Sequence, residues 1–113
     1  MQKTIFCDID GCLIEHQDIY TNEAVLLEGT LEKIKEWDRL GHKLILTTGR
    51  RESSRKKTEK QLRDIGISYD QLVMGLGPNQ RIIINDLKPG NPEIPTAVAI
   101  NLLRNDGIKD VKL

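Results

Sequence analysis

Thr4-Ile5-Phe6-Cys7-Asp8-Ile9-Asp10-Gly11 sets the reading of the whole chain. Four residues of high β propensity run straight into two carboxylates at i and i+2, followed by a glycine. The run reads as a buried first strand that ends at Asp8. Two later segments repeat the form. Lys43-Leu44-Ile45-Leu46-Thr47-Thr48 reads as a second strand interrupted by Gly49-Arg50. Arg81-Ile82-Ile83-Ile84-Asn85 reads as a fourth strand ending at Asp86. Between these lie two helical stretches. Gly29-Thr30 opens the first, with Thr30 as N-cap; Leu31, Ile34, Trp37 and Leu40 repeat at helical spacing, and Gly41 stops it. Trp37 belongs to that core stripe. Arg51 to Ile65 is highly charged, reads as a second helix with most of its surface in water, and ends at Gly66.

Tyr69 to Met74 supplies a third strand, and Ala97 to Leu103 reads as a fifth strand or a short helix, with the strand preferred. Pro89, Pro92 and Pro95 exclude a regular element between the fourth and fifth. Residues 12–28 show no clear period and are expected to form a hairpin flap or functional loop. The order predicts an α/β domain with a mainly parallel sheet, and a single domain over residues 1–113. In such sheets ligands sit beyond the carboxyl ends of the strands.

Composition narrows the partners. Seventeen Lys and Arg balance seventeen Asp and Glu, so formal net charge is zero. No global basic field exists to hold nucleic acid, and four aromatic residues leave little for base stacking. Nucleic acid is therefore disfavoured as a partner. The first apolar run is too short for a signal peptide or a membrane span. Cys7 and Cys12 match no zinc or redox spacing and are expected to be reduced thiols, which points to the cytoplasm.

If the strands are parallel neighbours, Asp8-Ile9-Asp10-Gly11, Thr47-Thr48-Gly49-Arg50 and Asn85-Asp86 converge on one edge of the sheet. Three carboxylates form an oxygen cluster suited to a hard divalent cation, with Mg2+ as the default. The Thr48 hydroxyl and the backbone N–H groups near Gly11 and Gly49 supply donors for an anion beside it. Taken alone, Asp-x-Asp-Gly is a common turn and Thr-Gly-Arg a common strand exit. Their joint occurrence, each directly after an apolar strand, suits phosphoryl transfer.

Phe6-Cys7-Asp8-Ile9-Asp10-Gly11, Leu46-Thr47-Thr48-Gly49-Arg50 and Ile84-Asn85-Asp86 resemble motifs I, II and IV of the haloacid dehalogenase superfamily of phosphatases. The resemblance covers residues 4 to about 89. It implies a three-layer Rossmann-like core of the small capless type and a Mg2+-dependent phosphomonoester hydrolase. Asp8 would be the nucleophile that forms an aspartyl-phosphate. Asp10 would protonate the leaving oxygen and then deprotonate the attacking water. Thr48 would hydrogen-bond the phosphoryl oxygens, with Gly11, Gly49, Arg50 and Asn85 as substrate contacts. Asp8, the main-chain carbonyl of Asp10, and Asp86 would hold Mg2+.

Two departures stand out. Cys12 occupies a position where the family often has Thr or Val, and its thiol raises the question of oxidant sensitivity. The helix that normally carries the motif III cation has no room between Met74 and Gln80. Lys88 is the preferred candidate, catalytic by this assignment; Arg81 is set aside as lying at the wrong end of its strand, and Lys57 and Lys60 are more distant. His16 on the flap is a candidate substrate contact if the flap folds over the site.

The leading functional expectation is hydrolysis of a small phosphorylated metabolite, with a sugar phosphate suggested by likeness to capless proteins of sugar-phosphate and surface-polysaccharide metabolism. Thr48-Gly49-Arg50-Arg51-Glu52 also resembles a loop of polynucleotide 3′-phosphatases, the first alternative. A non-catalytic metal- and phosphate-binding module is the second. With a chain this short, either the flap closes over Asp8, or another subunit of a homo-oligomer covers it, or the site is open and tolerant.

Overall fold

The computed structural model describes residues 1–18 and 23–113. Tyr20, in the middle of the expected flap, lies outside the described residues. β1 (Thr4–Asp8), α1 (Thr30–Arg39), β2 (Lys43–Thr47), a 3-10 turn (Glu52–Ser54), α2 (Arg55–Ile65) and β3 (Gln71–Val73) follow in that order. The strands form a parallel three-stranded sheet in the order β1-β2-β3. The fold is α/β, and the described residues carry no cap domain over the sheet.

The pleat sorts the side chains. Cys7, Leu44, Leu46 and Leu72 point to one face and are buried. They share one cluster with Ile34 and Trp37 of α1 and Leu62 of α2. Of the predicted α1 stripe, Ile34 and Trp37 are core, while Leu40 at the C-cap is 60% exposed. In α2 only Thr58 and Leu62 are buried, as its charged sequence predicts. β3 is entered through Asp70, whose carboxylate accepts the N–H of Leu44 at 2.8 Å and whose N–H donates to the Leu44 carbonyl at 2.8 Å.

Thr30 is not the N-cap of α1. Gly29 is, in the left-handed region at φ 80. Thr30 is buried in the first turn, and its hydroxyl donates to the Leu13 carbonyl at 2.9 Å, tying the helix start to the loop after β1. A Cβ on Gly29 would stand 2.4 Å from Cβ of Lys109. Gly29→Ala therefore combines left-handed strain with a clash and should cost about 2 kcal/mol or more. Thermal unfolding should show a fall of roughly 10 °C for a domain of this size.

The predicted fourth and fifth strands are absent from the sheet. Residues 81–85 form no regular element, and Ile82, Ile83 and Ile84 are exposed. Residues 97–103 form no regular element either. Sequence propensity marks a segment that fits a ladder, but only a partner makes it a strand. From Leu102 onward the chain returns to the body: Leu102 packs against the core, Ile108 is buried, and the Asn105 N–H donates to the Gly11 carbonyl at 2.8 Å.

The first part of the flap is a hairpin base. Ile14 pairs antiparallel with Leu26, the Glu15 N–H donates to Val25 at 2.8 Å, and the Leu27 N–H donates to Leu13 at 3.0 Å. No described helix is long and apolar enough to cross a membrane.

Candidate active site

Parallel pairing of β1 with β2 puts Asp8 in register with Thr47. Motifs separated by some forty positions thus end side by side, as the strand-end argument requires. Beyond Asp8 the chain winds tightly around one acceptor. The Ile9 carbonyl takes the N–H groups of Cys12, Leu13 and Ile14 at 3.2, 2.9 and 3.3 Å. Gly11, at φ +86, makes that winding possible.

Asp8 is half-buried at the mouth of this loop. Burial pushes its carboxyl pKa above the ordinary 3.8; the Arg81 guanidinium and the Ile9 N–H pull the other way, while Asp10 adds to the rise. Nη1 of Arg81 stands 3.4 Å from Oδ1 of Asp8. Arg81 is thus the cation the structure brings to Asp8. Lys88, the candidate preferred from sequence, lies on the exposed segment, where its carbonyl accepts the Asn91 N–H at 3.0 Å. The argument against Arg81 assumed that residues 81–85 sit in the sheet; outside it, the side chain is free to reach the carboxyl edge. Lys60, exposed on α2, pairs with Asp64 at 2.6 Å.

Asp10 is held by Arg50. Nε donates to Oδ2 at 2.9 Å and Nη2 to Oδ1 at 2.7 Å, a two-pronged pair. The Arg50 side chain is only 5% exposed. Its Nη1 is held in turn by Thr58 Oγ1 at 3.1 Å and Gln61 Oε1 at 2.8 Å. Arg50, expected as a substrate contact, is placed behind Asp10 instead. Thr58 and Gln61 were missed from sequence. Their signal was present: Thr58 lies four residues before Leu62 on the inner face of a helix whose charge made it read as solvated.

Thr48 is buried. Its hydroxyl accepts the Arg50 N–H at 3.0 Å, which leaves its own proton for another acceptor. The neighbouring backbone is locked, with the Gly75 N–H donating to Arg50 at 2.7 Å and the Leu76 N–H to Thr48 at 3.1 Å. Gly49 is exposed, and a Cβ there would meet the Leu76 carbonyl at 3.3 Å. The Gly11 N–H donates to the Ile14 carbonyl at 2.8 Å, so it is engaged within the loop. Asn85 donates to the Thr96 carbonyl at 3.1 Å, away from Asp8, and Asp86 is exposed beside it. His16 is exposed, its N–H held by Asn105 at 2.8 Å. The structure therefore gathers Asp8, Asp10, Thr48, Arg50 and Arg81, and does not bring Asn85, Asp86 or Lys88 to them.

Among the described residues no three His, Cys, Asp or Glu side chains are grouped to hold a metal ion. With the Asp10 carboxylate taken by Arg50, the remaining oxygens are the Asp8 carboxylate and the Asp10 main-chain carbonyl. Both are hard donors. They fit Mg2+, which is commonly held by one or two carboxylates and keeps several waters.

Cys7 and Cys12 are free thiols, and burial pushes their pKa values up to about 12 and about 11. At neutral pH a thiol at about 11 is ionised roughly a hundredfold less than one at the ordinary 9.0. Iodoacetamide should therefore label native protein about a hundredfold more slowly than protein unfolded in urea. Rapid labelling of Cys12 in the native protein would reverse that assignment.

Comparison with known proteins gives the family. A family model described as haloacid dehalogenase-like hydrolase matches residues 5–73, which include both carboxylates of the first loop and the Thr48 strand exit. No curated protein matches the chain. Among solved structures, chains of the Pnkp1/Rnl/Hen1 RNA repair complex align at 30% identity with a TM-score of 0.57. They cover 71% and 70% of this chain, which spans only 30% and 27% of theirs. The D,D-heptose 1.7-bisphosphate phosphatase from B. bronchiseptica, complexed with magnesium and phosphate, aligns at 19% identity and a TM-score of 0.51. That alignment covers 78% of this chain and 58% of the phosphatase and speaks to fold. The chain belongs to the haloacid dehalogenase-like hydrolases.

Proposed function

We propose that the chain is a cytoplasmic, Mg2+-dependent phosphomonoesterase acting on a small phosphorylated metabolite through an aspartyl-phosphate. The observation that carries this reading is the pair of carboxylates after β1, which the fold treats differently. Asp8 is left open at the strand end with Arg81 in front of it. Asp10 is clamped from behind by Arg50.

Asp8 attacks phosphorus, and the bond to the leaving oxygen breaks. Arg81 lies where it can draw the phosphoryl oxygens toward Asp8. The Thr48 hydroxyl, whose acceptor side is taken by the Arg50 N–H, turns its proton toward the same group. Asp10 gives a proton to the leaving oxygen and afterwards takes one from the water that cleaves the acyl phosphate. The Asp8 carboxylate and the Asp10 main-chain carbonyl would hold Mg2+, which would supply charge neutralisation between nucleophile and phosphate dianion.

The clamp gives a sharp expectation. Arg50→Lys keeps the charge but loses the two-pronged grip, a misplacement that should lower kcat by about 10²-fold with KM little changed. Combined with Asp10→Asn, it should add almost nothing, because both variants damage one proton-transfer unit. Full additivity in the double variant would assign Arg50 a separate role.

A second reading has its own support. The RNA repair complex chains align at 30% identity, and Arg51, beside the site, is exposed. A polynucleotide 3′-phosphatase would lose activity steeply as salt rises. Phosphate release is to be measured with and without Mg2+ on an aryl phosphate, a panel of phosphorylated metabolites, and a 3′-phosphorylated oligonucleotide at low and high salt. The proposal expects chelator-sensitive release, fastest from a metabolite and insensitive to salt. A salt-sensitive preference for the oligonucleotide selects the second reading. Mg2+ binding without release from any of them leaves a binding module.

A further inference from the structure

Arg50 grips Asp10 with one side of its guanidinium and is itself gripped on the other. The group is a rigid plane of N–H donors. Nε and Nη2 meet the two Asp10 oxygens at 2.9 and 2.7 Å. Nη1 meets Thr58 Oγ1 at 3.1 Å and Gln61 Oε1 at 2.8 Å. The Arg50 backbone is tied as well, its N–H to Thr48 Oγ1 and its carbonyl to the Gly75 N–H.

The two acceptors on Nη1 come from α2. Thr58 and Gln61 are three residues apart and so share a helix face. Thr58 is 0% exposed, and Leu62, one turn further on, is 0% exposed within the core cluster. Asp10, by contrast, lies on the loop that follows β1. A two-pronged pair fixes Arg50 and Asp10 relative to each other, yet the two could still swing together about the torsions of the long arginine side chain. Acceptors on the opposite side of the same plane remove that freedom. The position of the Asp10 carboxylate is therefore referred to a packed helix rather than to its own loop. Both acceptors are neutral, so neither competes with the Asp10 carboxylate for the charge of Arg50.

The geometry assigns Thr58 and Gln61 as positioning residues that act through Arg50 to set how Asp10 meets the leaving oxygen. Proton transfer requires an acid within hydrogen-bond reach and in line, and small misplacements are costly. The role in turnover rests on the phosphatase proposal; the hold of α2 on Arg50 does not. The demand falls on esters of aliphatic alcohols, because an alkoxide needs a proton to leave and a nitrophenolate does not.

That difference provides the test. Values of kcat/KM report the steps up to transfer of the phosphoryl group to Asp8, where the leaving oxygen departs. Thr58→Val and Gln61→Met, made singly, should each lower kcat/KM for a simple alkyl phosphate by about tenfold. For p-nitrophenyl phosphate the same variants should lose less than about twofold. Thr58→Ser should regain most of what Thr58→Val loses on the alkyl ester. Both changes at Thr58 destabilise, one by leaving a donor unmet and the other by leaving a methyl-sized void, so a purely structural contribution would not separate them. Equal losses on the two substrates, or a Thr58→Ser protein no better than Thr58→Val, overturn the assignment. A second readout needs no turnover. In nitrogen–proton correlation spectra the Arg50 Nη1 protons should give resolved, slowly exchanging signals, identified by their loss in Arg50→Lys, and these should broaden in Thr58→Val and in Gln61→Met. If wild type releases no phosphate from either ester, the phosphatase proposal falls and the spectra decide alone: signals that persist unchanged in both variants overturn the hold of α2 on Arg50.

Discussion

Asp8→Asn should abolish turnover, by about 10⁴-fold or more, because Asp8 is the carboxylate that ends β1 and the neighbouring Asp10 carboxylate is held by Arg50. The amide has the size and shape of the carboxylate, so the loss is chemical rather than structural. Stability should move the other way. Burial raises the Asp8 pKa above 3.8, so the folded state binds its proton more tightly than the unfolded chain does. Ionising Asp8 therefore lowers stability as pH rises through the raised value, and below the ordinary carboxylate range the effect is gone. In metal-free protein near pH 7, Asp8→Asn should unfold at the same temperature as wild type or slightly above it. With 37% of the Asp8 side chain in contact with solvent, the gain is small. At acid pH the two proteins should coincide. An Asp8→Asn protein with full phosphatase activity would remove Asp8 from the mechanism.

Leu46→Ala should produce the largest loss of stability. Leu46 is 0% exposed in the central strand, in register with both Cys7 and Leu72. Truncating it removes a fully buried isobutyl group and leaves a cavity between three strands, costing about 3–5 kcal/mol. Against the usual total of about 5–15 kcal/mol, this threatens folding at physiological temperature. Urea unfolding should show a much lower midpoint with an unchanged slope. Leu40→Ala is the matched control. At 60% exposure it should change stability by less than about 0.5 kcal/mol. Equal losses at the two positions would mean that the core is not centred on β2.

What could be read from sequence divides by the range of the interactions involved. β1, α1, β2 and α2 were legible to within a few residues, because apolar periodicity and the stops at Gly41 and Gly66 are local signals. The convergence of Asp8 with Thr47 followed from them. The N-cap of α1 was misread by one position because Thr30 has a side chain suited to capping, yet spends it on the Leu13 carbonyl. Arg81-Ile82-Ile83-Ile84-Asn85 read as a strand because its composition is that of one. Whether it pairs depends on geometry that composition does not encode. Arg50 was expected to contact substrate, and its guanidinium is instead engaged inside the protein. Its engagement with Asp10, Thr58 and Gln61 joins three segments of the chain, and no spacing rule reports that. Lys88 was preferred over Arg81 because residues 81–85 were read as a strand of the sheet, and it is Arg81 that stands beside Asp8.

The return of the chain end to the first loop also bears on how the molecule folds. β1, α1, β2, α2 and β3 are joined by connections much shorter than the one that returns the chain end to the first loop. The loop that shapes Asp8 and Asp10 is braced by Asn105, whose side chain takes the His16 N–H from 89 residues away. Closing so long a segment is entropically late. A body with native sheet content but an unbraced first loop should therefore precede the finished protein. In a refolding time course, amide protection in β2 should appear before protection at His16, and hydrolytic competence should arrive with the second.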